Sequence, residues 1–199
     1  MTDHPDHRDA GRGAPGAGAG FERELAALVD EARADDAARS RERGRWLRRA
    51  AEDDARLAGT LVDLCERGVP VTLRTTSGRT ATGVLATVGA DFVAVRATTG
   101  FDTYVRHAGV AVVRPRPDVR VDAATGDRAP AGVQRFAEVV AGLAPDRPRV
   151  SVGLVGGGEP VTGDLVAAGV DVASIRLLGG GGPVCYVALD AVTDLTVVD

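Results

Sequence analysis

The chain has 199 residues, 44% of them apolar but only 4% aromatic, with a formal charge of −4 at pH 7. That length allows one or two small domains with a core of Val, Leu and Ala, and β-branched side chains suit a pleated sheet. No run approaches the ~18 apolar residues of a membrane span, and the absence of Lys and Asn, with Ile175 the sole isoleucine, reads as GC-rich codon usage before it reads as selection of Arg for phosphate recognition.

Residues 1–20 are rich in Gly, Ala, Pro, Asp and His and predict a disordered tail, because they cannot bury enough apolar surface to offset ordering. They contain no apolar run resembling a secretory leader. Cys65 and Cys185 lack metal-type spacing. Together these features predict a cytoplasmic protein with reduced thiols.

Residues 21–67 contain no Pro and predict a helix. Phe21, Leu25, Leu28 and Ala32 form one apolar stripe, and Leu47, Ala50, Leu57, Leu61 and Leu64 form a second. The first stripe, through Phe21, Leu25 and Leu28, is a candidate oligomerisation face. One long helix or two segments hinged near Gly44 are expected, since Gly costs about 1 kcal/mol in a helix interior relative to Ala. Gly68 is a natural stop.

From Val69 the apolar period becomes two, with turn signals at Ser77-Gly78, Gly89-Ala90, Thr99-Gly100 and Ala108-Gly109. Five short strands over residues 68–115 are expected to make a first small β-barrel. Residues 116–131 read as a linker. Residues 132–144 read as a short amphipathic helix, with Phe136, Val139, Val140 and Leu143 on one side. Five more strands run to Asp199, so that residues 132–199 form a helix plus a second barrel.

The two halves repeat. Thr82-Gly83-Val84-Leu85 matches Thr162-Gly163-Asp164-Leu165, and Gly89, Asp91, Val95 and Arg96 match Gly169, Asp171, Ile175 and Arg176. Tyr104-Val105 matches Tyr186-Val187; upstream, Leu57 matches Phe136, Leu64 matches Leu143 and Val71 matches Val150. The offset changes only at turns, where loop length is free to vary. The alternation puts Val93, Val95 and Val105 inside, with Ala173, Ile175 and Val187 as their matches. Phe92, Arg96 and Tyr104 face out, as do Val172, Arg176 and Tyr186.

The run Val71-x-Leu73…Gly78…Gly83-x-Leu85…Gly89-x-Asp91-Phe92-Val93-x-Val95 resembles the first motif of the Sm/LSm family. The resemblance covers each barrel and its preceding helix. It implies an α+β, mainly β architecture of two duplicated small SH3-like barrels. Val93-Ala94 and Ala173-Ser174 stand where that family carries its RNA-binding Asn, so its RNA site is not carried over. The overall arrangement is also similar to uncharacterised proteins of GC-rich actinobacteria.

No catalytic, cofactor or metal constellation emerges. His107 lies beside a turn and its repeat match is Leu189. The runs Gly156–Gly158 and Gly179–Gly182 join strands, whereas a phosphate loop must open a helix. Asp91 and Asp171 each follow a hairpin Gly, which suits turn capping.

Charge is the more informative signal. Arg39, Arg41, Arg43, Arg45, Arg48 and Arg49 surround Trp46, a combination able to grip nucleic-acid phosphates. Flanking acids make a solvated helix the competing account. Residues 69–121 hold seven Arg and three Asp, net +4, whereas residues 148–199 hold two Arg and six acids, net −4. Opposite charges allow the halves to pair, within a chain or between chains. Arg74, Arg79, Arg96 and Arg106 near Tyr104 could alternatively bind single-stranded nucleic acid.

The sequence therefore predicts a non-enzymatic interaction or scaffold protein, with a protein partner or self-association and a coiled-coil-like N-terminal helix. It predicts no membrane partner and no small-molecule cofactor. RNA or single-stranded DNA binding is the alternative.

Overall fold

A computed structural model describes residues 17–117, 126, 128–130, 132–177 and 181–198, and the side chains of residues 17–23, 26 and 51 lie outside that description. The chain divides into two compact units, residues 1–49 and 50–199.

The N-terminal unit contains most of helix α1 (Ala17–Asp53), 37 residues and about 55 Å long at 1.5 Å per residue. Its Ala, Leu, Glu and Arg content favours the helix strongly enough to carry it through Gly44, so of the two expected arrangements the hinge near Gly44 is not the one taken. The interruption falls instead at residues 54–56. Glu52, Asp53 and Asp54 crowd the negative end of the helix dipole, which disfavours further turns. Arg56 is extended (φ −120°, ψ 148°), and its N–H donates to Gly126 O at 2.9 Å.

Helix α2 (Leu57–Glu66) follows. It ends where Gly68 takes the left-handed conformation (φ +60°), with Gly68 N–H bonded to Cys65 O and Val69 N–H to Leu64 O. Helix α3 (Phe136–Leu143) starts four residues later than its amphipathic pattern suggests. Arg135 before it is extended (φ −104°, ψ 158°), and Gln134 O is engaged elsewhere, accepting Ala90 N–H at 2.9 Å.

Five strands follow α2: β1 (Pro70–Thr75), β2 (Thr80–Val88), β3 (Phe92–Arg96), β4 (Asp102–Arg106) and β5 (Val110–Pro115). Five follow α3: β6 (Arg149–Leu154), β7 (Val161–Ala168), β8 (Val172–Leu177), β9 (Val184–Ala188) and β10 (Val192–Val197). All ten form one antiparallel sheet in the order β5-β1-β2-β3-β4-β10-β6-β7-β8-β9. The ladder does not close on itself, so separate closed barrels give way to one open sheet with β5 and β9 at its edges. The reason is local: β4 would otherwise be an edge, and β10 pairs with it.

The same strand order occurs in each set of five, with the first helix-linked strand beside the last. Local details recur at matched positions. The β2–β3 register shifts between Leu85 and Thr87, and the β7–β8 register between Leu165 and Ala167. His107 N–H donates to Asp91 O at 2.8 Å, and Leu189 N–H to Asp171 O at 2.7 Å. Gly83 and Gly163 lie so close to the neighbouring strand that a Cβ would collide with Arg96 O and Arg176 O respectively.

Two apolar clusters hold this unit together. One joins Leu61 and Leu64 of α2 to Val71, Leu73, Leu85, Val93, Val95 and Val105. The other joins Phe136, Val139 and Val140 of α3 to Val150, Val152, Leu165, Ile175 and Leu195, and it also takes in Phe92 and Ala94. Phe92 does face away from the first cluster, as alternation requires, yet it is only 1% exposed.

Candidate interface

The clearest built surface is the joint between the two sets of strands. Its backbone part is short, pairing Val105, Tyr104 and Thr103 with Asp194, Leu195 and Thr196. Side chains reinforce it. Asp194 is 1% exposed, and Arg79 Nη1 lies 2.9 Å from its Oδ2. Ser77 Oγ and Thr193 Oγ1 donate to Asp194 Oδ1 at 3.2 and 2.8 Å. Arg79 also donates to Ser151 O at 3.3 Å and Ser151 Oγ at 3.2 Å. Thr103 and Thr196 hydroxyls meet at 3.1 Å. Arg106 donates to Leu189 O at 2.8 Å and pairs with exposed Asp190. Gly109 is needed here, since a Cβ would sit 2.6 Å from Thr193 O.

A second contact lies on the outer face of β3 and β4. Phe92, Ala94 and Tyr104 pack against the α3 cluster, with the Phe92 and Tyr104 rings tilted at 55° and 6.2 Å apart. Asp91 Oδ1 accepts the Phe136 N–H at 2.7 Å. This satisfies one of the orphan donors at the helix start. Asp91 therefore caps a distant helix rather than its own turn.

The candidate nucleic-acid residues divide between these surroundings. Arg79 and Arg106 are tied into the joint, and Arg96 is held by Asp102 through two 2.9 Å hydrogen bonds. Burial and the Asp102 charge raise the Tyr104 pKa, and its ring packs on the second cluster. Arg74 is exposed. On α1, Arg41, Arg43, Arg45, Arg48 and Arg49 are exposed, and Arg39 pairs with Asp36 at 3.1 Å. Trp46 is 68% exposed among them. Leu25 and Leu28 are exposed, and the Phe21 side chain lies outside the described residues.

Several other chemistry-bearing residues have local partners. Cys65 Sγ donates to Leu85 O at 3.3 Å, and burial with nearby Glu66 raises the thiol pKa, so the thiolate is disfavoured. Burial lowers the pKa of His107, although the Phe92 backbone and Asp91 oppose the effect. Its Nε2 is buried and has no hydrogen-bond partner among the described residues. A cleft of about 730 Å³ is lined by Asp91, Arg106, Arg135, Glu138, Asp171 and Asp190 among others. Asp91 accepts from Phe136, Glu138 from the Arg135 N–H, and Asp190 pairs with Arg106. Among the described residues no group of three or more His, Cys, Asp or Glu could hold a metal ion, and no helix is long and apolar enough to cross a membrane. His4 and His7 lie outside the described residues.

Sequence reasoning missed Asp194, Ser77 and Ser151. One signal was present: Asp194 interrupts the apolar run of β10 where the matched residue of β5 is Val112. The chain matches no protein-family model, and no curated protein is similar enough to match it.

Proposed function

We propose that the chain is a non-enzymatic interaction protein. It is built from two copies of a helix plus five strands, each copy an Sm/SH3-like unit. It binds other proteins or itself, without a small-molecule cofactor, in the cytoplasm. The observation that carries this reading is the joint. One copy's outer strand and outer face are devoted to gripping the other copy, while Arg79, Arg106, Asp91 and Asp194 nearby are held in structural bonds. A surface specialised in binding a protein surface of the same design is the most developed feature of the molecule.

The N-terminal helix adds a second binding element in this reading, through Leu25 and Leu28. Their replacement by Asp, with mass read by light scattering, tests it. A drop in mass supports the helix as an association element, and an unchanged mass removes it. Capture of partners from a lysate with and without nuclease tests the reading as a whole.

RNA or single-stranded DNA binding by α1 is the second reading, favoured by Trp46 standing exposed among exposed Arg side chains. It requires affinity for a mixed oligonucleotide pool that falls steeply with salt. No binding at low salt removes it.

A further inference from the structure

Helix α1 carries a seam of side chains left uncovered within its own unit. None of its described side chains from residue 24 to 49 is buried, and Leu25, Leu28, Val29, Trp46 and Leu47 are all exposed. Steps of four and three residues in alternation, the spacing of a coiled-coil seam, run without a break from Leu25 to Ala50. Leu25, Val29 and Ala32 begin the seam, and Trp46 and Ala50 end it. Asp36, Arg39 and Arg43 fill its middle.

The charged middle decides what can lie against it. In a parallel pair of α1 helices each seam residue meets its own copy. Asp36 then meets Asp36, Arg39 meets Arg39 and Arg43 meets Arg43, and three successive like-charge layers oppose the arrangement. In an antiparallel pair the seam is its own complement. One register sets Asp36 against Arg39 of the second copy and, by symmetry, Arg39 against Asp36. The same register sets Val29 against Trp46, Leu25 against Ala50 and Ala32 against Arg43. Every large apolar group meets an apolar one, and the Arg43 stem lies over a methyl while its guanidinium reaches solvent. Sliding by one heptad destroys the match. In one direction Arg39 meets Arg43 and Asp36 meets Trp46; in the other Arg39 meets Val29 and Arg43 meets Leu25.

We infer that α1 pairs with α1 of a second copy as a two-stranded antiparallel coiled coil centred between Asp36 and Arg39. This rests on reading α1 as an association element. Within one chain Arg39 already lies 3.1 Å from Asp36 in an exposed pair, which contributes little by itself. Between two chains the two carboxylates and two guanidiniums interleave, and partial burial between the flanking layers strengthens each contact. Asp35 and Glu42 each lie one turn from Arg39 and add charge opposite to that of the seam arginines. Polar seam residues cost stability while fixing register, so the dimer is a dissociable one. The contact is isologous and closes at two chains. It covers Trp46, which nucleic-acid binding by α1 needs open.

The test uses the full chain, weighed by sedimentation equilibrium across a concentration series. Emission from Trp46, the only tryptophan, is a second readout. The parent forms a two-chain species as concentration rises, and Trp46 emission moves to shorter wavelength with it. Asp36→Arg sets Arg against Arg39 twice, and Arg39→Asp sets Asp against Asp36 twice. Each weakens pairing by about ten-fold or more. An equal mixture of the two variants restores pairing, because every like-charge contact becomes an unlike one, and a chain carrying both exchanges pairs with itself as the parent does. Direction is read in a background with Cys65→Ala and Cys185→Thr. A Leu25→Cys chain and an Ala50→Cys chain cross-link to each other under mild oxidation, and neither cross-links to itself.

A parent that stays a single chain, single exchanges that keep the parent's mass, a mixture that stays single chains, or an Ala50→Cys chain that cross-links to itself overturns the inference. If Leu25→Asp with Leu28→Asp lowers the mass while the charge exchanges do nothing, the helix associates by another geometry: the inference falls and the reading of α1 as an association element stands. If that pair of substitutions leaves a two-chain parent intact, both fall.

Discussion

Arg79 and Asp194 meet at 2.9 Å across the joint, a guanidinium from the first hairpin clamping a carboxylate that is only 2% exposed at its side chain. Two hydroxyls complete its shell. A buried carboxylate held this way stabilises little in net terms, because desolvation offsets the attraction, but losing its partner is costly. Arg79→Met is expected to destabilise the strand-bearing unit by about 3 kcal/mol, read by denaturant unfolding. Adding Asp194→Val, the residue of the matching β5 position, should recover more than half of that loss.

Phe92 alternates away from its own cluster and is buried in the other. Phe92→Ala should therefore cost about 3–5 kcal/mol, the usual range for a buried Phe. Val172→Ala, at the matching half-open position, should cost under about 1.5 kcal/mol. Equal losses at the two sites would contradict the asymmetry between them.

Gly83 and Gly163 occupy matched positions where a Cβ would meet a carbonyl of the adjacent strand. Alanine at either should be destabilising by about 1–3 kcal/mol through overpacking. A tolerant response at one glycine and a severe one at the other would show that the halves do not share this packing.

His107 is expected to make stability pH-dependent. Burial disfavours its charged form, so its folded pKa lies below the ordinary 6.5. Between the two values the unfolded chain binds more protons, and stability therefore rises with pH. The contribution is fully present above the unfolded pKa and is lost as pH falls through 6.5 towards the folded value. His107→Leu, which copies the matched Leu189, should flatten the dependence of the urea midpoint on pH between about 7.5 and about 5.5. A midpoint that rises on acidification would contradict the sign.

The strand runs and most of the inward residues were legible because alternation in a half-buried strand leaves a period of two in the sequence. Gly68 was legible because few residues besides Gly accept its backbone conformation. The single sheet was not, because a period of two shows which face of a strand is buried and not which strand lies beside it, and whether β4 stays an edge depends on what β10 does. Phe92 faces outward from its own cluster, as its period requires, but alternation cannot say what stands outside. Gly44 could not decide between one long helix and two segments, because a single propensity is outweighed by its neighbours. Asp194 was the missed signal, a charge in an apolar run that only a partner such as Arg79 makes tolerable.

The most direct measurement is cross-linking across the joint within one chain. Paired residues on antiparallel strands sit about 4.5–5.5 Å apart at Cα, within disulfide range. In a background with Cys65→Ala and Cys185→Thr, a chain carrying Thr103→Cys and Thr196→Cys, at paired positions of β4 and β10, should form an internal disulfide under mild oxidation. A chain carrying Thr103→Cys and Ser151→Cys, one strand further away, should not. No disulfide in the first chain, or an equal yield in the second, would contradict the joint on which the account rests.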